Sequence, residues 1–343
     1  MSILWAGGED VSFDSITLST TTSNTLYRPS FARGSLFFQT FGTVTNTTFP
    51  LSSYANTPQF GPIGQFWVHG QLAFAPNFNA IGLNALLLVI ADSSSIPRLA
   101  IRGTSTNGQI KISTITAAGV FTDLVVSNPG ALNYSLPNPN PSALDIFINY
   151  AVSGQVTVYW NGVNICDTGP GVNVTTDSVT GLGQVMYSIA NLVNQAQGWS
   201  ECIVSTTTTL GTALQTLPPV AAGNTQLWTG SVSNIDELAV NDANYNYTAT
   251  AAQLSEWTVT TTLPTGTWGI QAVVQAGALS RGTTGPQHFA WDVRCSNAIS
   301  YQSSAQNLST GFGFYQYIWQ TNPATSNPWN PGELINSGVE SLA

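Results

Sequence analysis

The run Leu144-Asp145-Ile146-Phe147-Ile148-Asn149-Tyr150 sets Leu144, Ile146, Ile148 and Tyr150 against Asp145, Phe147 and Asn149. After Ser153-Gly154 the alternation resumes as Val156, Val158 and Trp160 against Thr157 and Tyr159, and it starts again at Val163 and Ile165. Successive side chains of a strand point to opposite faces, so a period of two marks half-buried strands. Between the second and third strands stands Asn161-Gly162, the residue pair that best tolerates the positive φ a type I′ turn needs at both central positions. The pattern predicts an antiparallel meander with one face on a core and a hairpin over residues 156–165.

Working outward, the same grammar recurs. Phe66, Val68, Leu72 and Phe74 alternate with Trp67, His69 and Gln71, and Ala85 to Ala91 is a continuous apolar run suited to a strand covered on both faces. Short strands at Leu99–Ile101, Gln109–Ile115 and Phe121–Val126 are separated by Gly, Ser or Asn clusters, which implies an all-β sandwich. Val185 to Gln197 is the one internal stretch that fits a short helix, and Trp199 to Ser205 reads as a strand. A boundary near residue 206 gives domains 1–206 and 207–343. The second domain reads as strands at Glu256–Thr262, Trp268–Ala276, His288–Cys295 and Phe312–Trp319. It ends in a predicted short helix with Asn330 as N-cap, Pro331 at N1 and Glu333 closing a capping box.

Only 7% of the 343 residues are charged, yet 43% are hydrophobic and ten are Trp, so the chain can bury a core beneath a neutral polar surface. A net charge of −9, with seven basic residues scattered singly, argues against nucleic acid and against an anionic membrane as partners. No apolar run is long enough to span a bilayer, and the first residues lack the pattern of a signal peptide. Cys166, Cys202 and Cys295 each sit in an apolar strand pattern and read as buried reduced thiols, which fits synthesis in a reducing host cytoplasm.

Catalytic constellations are sparse. A retaining glycosidase needs two carboxylates about 5–5.5 Å apart. Asp236-Glu237 and Glu9-Asp10 are adjacent pairs, which on a strand face opposite ways. His69 and His288 have no nucleophile or second ligand at triad or metal spacing and read as structural strand histidines. Glu9, Asp10, Asp14 and Asp92 form no dense calcium loop, so neither cofactor nor metal is expected. Aromatics off the core faces are the candidates instead. Trp67 and Tyr159 fall opposite their strands' core sides, and Phe312, Phe314, Tyr315 and Tyr317 put aromatics on both faces of one strand. Such residues serve sugar stacking and protein interfaces alike.

The meander resembles the central hairpin of concanavalin-A-like (laminin-G-like) jelly rolls. An ordered series of segments is also similar to a bacteriophage tail or minor structural protein family. The series comprises Trp199-Ser200-Glu201-Cys202-Ile203-Val204, Ala221-Ala222-Gly223…Trp228-Thr229-Gly230 and Asn234-Ile235-Asp236-Glu237. It continues with Arg281-Gly282…Gly285-Pro286-Gln287 and Thr321-Asn322-Pro323-Ala324-Thr325…Pro328-Trp329. The resemblance implies a concanavalin-like jelly-roll sandwich followed by a smaller β-sandwich domain, with the short C-terminal helix closing the chain. It implies a non-enzymatic component of a tailed-phage virion, with a contribution to host attachment, in contact with other virion proteins and with copies of itself. A chain so poor in charge fits a homo-oligomer, with a trimer favoured. A glycan-binding receptor-recognition module is the alternative, and a glycoside hydrolase or depolymerase the third reading.

Overall fold

The meander forms as its pattern requires. Strands Ser142–Asn149, Gln155–Trp160 and Val163–Asp167 pair antiparallel, with Ile146 opposite Val158 and Phe147 opposite Thr157. Asn161 and Gly162 adopt φ of 49° and 80°, the left-handed pair of the type I′ turn. The computed structural model of the chain describes residues 2–7, 15–17, 36–37, 54–74, 86–106, 108–132, 142–188, 191–192, 195–235, 244–259 and 268–343. These fall into two units, Ser2–Leu214 and Gln215–Ala343.

The first unit is a sandwich of two antiparallel sheets. One runs in the order Ile3–Gly7, Gln195–Ser205, Gln65–Phe74, Ser142–Asn149, Gln155–Trp160, Val163–Asp167, with two short strands attached to Gln195–Ser205. The other runs Ser15–Thr17, Tyr54–Asn56, Gln184–Ser188, Leu86–Ala91, Pro97–Gly103, Ile110–Ile115, Phe121–Val126. Phe66, Val68, Leu144, Ile146, Ile148 and Val158 from the first sheet meet Leu88, Ile90, Leu99, Ile101, Ile112 and Tyr187 from the second. Every residue of Leu86–Ala91 is buried, because this central strand has the core on one side and Ala100, Ile115 and Met186 on the other. Its outer face is fastened by charge. Arg98 holds Asp92 at 2.8 Å and also pairs with Asp177, while Asp123 takes both Arg102 and Lys111. Burial opposes ionisation of Asp123, but hydrogen bonds from Ser113, Lys111 and Arg102 bring its pKa down to about 2.

The second unit packs a sheet ordered Pro219–Gln226, Gln253–Val259, Leu334–Leu342, His288–Cys295, Ser300–Gln302 against the hairpin-like pair Val273–Leu279 and Gly313–Trp319. Trp257, Phe289, Trp291 and Val339 form the centre, and Gln275 crosses from the pair to donate to Asp292 O and Ser337 Oγ, both at 2.7 Å.

Two helix expectations are corrected. The described residues of 185–197 lie in the strands Gln184–Ser188, Asn191–Leu192 and Gln195–Ser205, with Gln184–Ser188 fully buried in the second sheet of the sandwich. Asn330-Pro331-Gly332-Glu333 is a turn, and Leu334–Leu342 that follows is a strand rather than a helix. One of the two capping contacts forms: Glu333 Oε2 accepts from Asn330 N at 2.8 Å, while Glu333 N donates to the backbone carbonyl of Asn330 at 3.2 Å, closing the turn instead. Gly332, at φ 82°, leaves helical space directly after Pro331, which is how a type II turn is built.

Candidate functional site

Trp67 and Tyr159 point off the outer face of the first sheet of the sandwich. They stack at 5.7 Å between ring centroids with 27° between planes, and Phe147 sits 5.2 Å from Trp67. All three are half-buried, since each ring spends much of its face on another. Beside them His69 Nδ1 lies 2.8 Å from Asp145 Oδ1, and Thr209 Oγ1 donates to that same oxygen at 2.7 Å. A threonine, a carboxylate and an imidazole thus meet, but in the wrong order for a nucleophile. The hydroxyl bonds the carboxylate and not the imidazole, so nothing prepares to take its proton. This pairing holds the chain that leaves the sheet, and Leu214 N on Glu201 Oε2 at 3.3 Å holds it again. The His69–Asp145 contact was invisible in sequence, because its partners lie on strands brought together only by the ladder.

Among the described residues, the exposed aromatics lie in the second unit. Tyr245, Tyr247 and Phe312 are 51%, 55% and 42% exposed, and Tyr245 is 6.3 Å from Tyr247 and 6.1 Å from Phe312. Thr229 and Tyr247 exchange backbone hydrogen bonds and so lay the Tyr-bearing segment along the loop that starts at Trp228. Asn234 Nδ2 donates to Tyr245 O and Asn246 Oδ1, both at 3.2 Å, and Ser231 and Ser233 share a 2.8 Å hydroxyl contact at the rim. Gly230, at φ 135°, is obligatory: a Cβ there would come within 1.8 Å of Asn246 Oδ1. The result is an apolar surface edged by hydroxyls and carboxamides.

Of the aromatics expected from sequence, Phe312 joins this cluster. Tyr315 and Tyr317 turn the other way, and Tyr315 packs edge-on against Phe289 at 5.1 Å. Phe314 is half-buried in the strand opposite Ala278. Tyr245 and Tyr247 were missed: Asn244-Tyr245-Asn246-Tyr247-Thr248 does alternate with a period of two, but the run is too short to mark a strand or to say which ring they meet. Trp268, the first residue of an expected strand, lies exposed ahead of the strand Val273–Leu279. Glu9, Asp10, Asp14, Asp236 and Glu237 lie outside the described residues. Asp92 is engaged by Arg98 and by the Ser94 and Ile96 amides.

The three cysteines are free and buried. Burial, reinforced by Asp167, pushes the Cys166 thiol up to about 12, and burial also drives Cys202 and Cys295 upward. None is a nucleophile at neutral pH.

No protein-family model and no curated protein sequence matches the chain. Solved structures of limited similarity include the binding domain of Paraclostridial Mosquitocidal Protein 1, at 12% identity and TM-score 0.38, covering 60% of this chain and 48% of that one. The binding domain of Botulinum Neurotoxin DC in complex with SialylT is similar at 10% identity and TM-score 0.38, covering 100% and 94%. The T. cruzi calreticulin globular domain follows at 8% identity and TM-score 0.33, covering 61% and 89%. These scores are too low to carry function or assembly over to this chain.

Proposed function

We propose that the chain is a non-enzymatic recognition protein that binds a surface glycan on the Tyr245–Tyr247–Phe312 cluster. The observation that carries this is the exposure of three neighbouring aromatic rings edged by Ser231, Ser233, Asn234 and Asn246. A pyranose has one apolar face of C–H groups and a rim of hydroxyls. Aromatic faces with hydroxyl and amide neighbours match both. The test is binding of the purified chain to an oligosaccharide array, repeated with Tyr245→Ala, Tyr247→Ala and Phe312→Ala. Each truncation should weaken binding by tenfold or so, about 1.4 kcal/mol, while the unfolding midpoint stays put. Absence of glycan binding, with Tyr245→Ala instead changing the solution mass, would reassign the cluster to contacts between copies.

A tailed-phage virion component is the second reading, and one observation favours it. Segments that resemble that family build the frame of the cluster: Trp228-Thr229-Gly230 and Asn234 at one edge, Arg281–Gln287 at another. Host attachment through a glycan and residence on a virion are compatible roles. The homo-oligomer belongs to this reading, and mass measurement in solution tests it.

A further inference from the structure

We propose that Arg281 is the anion-reading residue of the Tyr245–Tyr247–Phe312 site, and that the glycan taken there bears a carboxylate. This rests on the glycan reading and narrows its ligand class.

The loop from Arg281 to Gln287 meets the two segments that carry the aromatic cluster, at Ser309 and at Ala249. On the Phe312 side, Arg281 N donates to Ser309 O at 2.8 Å, and Ser309 Oγ donates at 2.6 Å to the carbonyl of Gly311, the residue before Phe312. On the tyrosine side, Gly285 lies against Ala249, two positions past Tyr247; a Cβ on Gly285 would sit 3.3 Å from Ala249 O. Gln287 spans the loop, donating to Gly285 O at 2.7 Å while its Oε1 accepts from Arg281 Nη1.

The charge distribution separates Arg281 from the other described cations. Arg98, Arg102, Lys111 and Arg294 each pair with Asp or Glu. Arg281 has no carboxylate partner among the described residues; its side chain bonds to a neutral amide. That bond uses Nη1 and orients the plane of the guanidinium. The Nε–Nη2 edge carries no hydrogen bond among the described residues, and its two N–H groups are parallel donors. A carboxylate supplies two coplanar acceptors at that spacing. The choice of a singly charged sugar over a polyanion follows from the net charge of −9. Every charge is screened over about 8 Å at physiological salt, but an extended polysulfate lays further charges against an acidic surface, whereas a single carboxylate brings only the charge that Arg281 neutralises.

The experiment is titration of the full chain with sialyl- and glucuronyl-terminated oligosaccharides and with the same compounds after reduction of the carboxyl to an alcohol. The wild type should bind an acidic form at least tenfold tighter than its reduced counterpart. Arg281→Gln should erase that difference, and Arg281→Lys should restore part of it. Equal wild-type affinity for acidic and reduced forms overturns the proposal, and so does an Arg281→Gln variant that keeps the difference. The comparison of acidic with reduced ligand needs only the wild type, so it decides even where a variant folds poorly. If neither form binds and Tyr245→Ala changes nothing, the glycan reading falls; if reduced forms bind as well as acidic ones, that reading stands and only the role of Arg281 is lost.

Discussion

Replacing Asp292 with Asn should stabilise the second unit at neutral and alkaline pH and leave it nearly unchanged in acid. Asp292 and Glu256 stand on either side of Gly338 in the sheet, two carboxylates flanking a residue with no side chain. Glu256 is compensated: Arg294 Nε donates to Oε1 at 2.9 Å, Arg294 Nη2 donates to Oε2 at 3.2 Å, and Ser300 Oγ adds 2.9 Å. Asp292 is fully buried, and neither of its oxygens finds a hydrogen-bond donor. Burial first, then the charge of Glu256, raises its pKa from 3.8 to about 7; nearby Ser300 and Arg294 offset only part of this. The folded state therefore holds the Asp292 proton more tightly than the unfolded chain does. Its contribution to stability is fully present below pH 3.8 and is lost as pH rises towards 7. Each tenfold gain in proton affinity is worth about 1.4 kcal/mol, so the loss at pH 8 is at most on the order of 4 kcal/mol. Asn keeps the shape and removes the charge, so the variant should show little of this slope. Urea melts from pH 4 to 8, followed by the fluorescence of Trp257 and Trp291, measure it. Parallel pH profiles for the two proteins, or a variant weaker than wild type at pH 8, would refute the account.

Gly162→Ala should cost about 1–2 kcal/mol by placing a Cβ at φ 80°, read as a lower urea midpoint with the fold unchanged. Gly70→Ala should cost more than a surface change, about 1–3 kcal/mol, because its Cβ would meet the Trp199 ring at 2.8 Å; thermal melts report it. Native protein at pH 8 should leave Cys166, Cys202 and Cys295 unlabelled by a thiol reagent, with all three reacting once urea unfolds the chain. Gly230→Ala should displace Asn246 and weaken glycan binding while the environment of buried Trp257, seen by fluorescence, stays as it was.

The sandwich was legible because a period of two is a local property. Each of Ile146, Val158 and Val68 shows its inward face without reference to the rest of the chain, and Asn161-Gly162 names its own turn. Where several structures share one residue signal, reading went astray. Asn-Pro-Gly-Glu carries the N-cap, the N1 proline and the returning carboxylate of a helix start, and the Glu333 carboxylate does reach back to Asn330 N. Gly332 at positive φ then sends the chain into a strand. Phe312 was found because aromatics crowd its strand, yet the same crowding cannot say that Tyr315 faces Phe289 and Phe312 faces Tyr245. Tyr245 and Tyr247 acquire their meaning only from a bridge to Thr229 and a ring far along the sequence.

The knot of Thr209, Asp145 and His69 has a mechanical side. The chain leaves the first unit from strand Gln195–Ser205, which is paired along both edges, to Ile3–Gly7 and to Gln65–Phe74. Tension applied through Gln215 would meet the Leu214–Glu201 bond and then the Thr209 hydroxyl before it reached the strand. It would then load a doubly flanked strand along its axis, where many ladder bonds resist together rather than parting one by one. The contacts of Thr209 and Leu214 would therefore part before the ladder does.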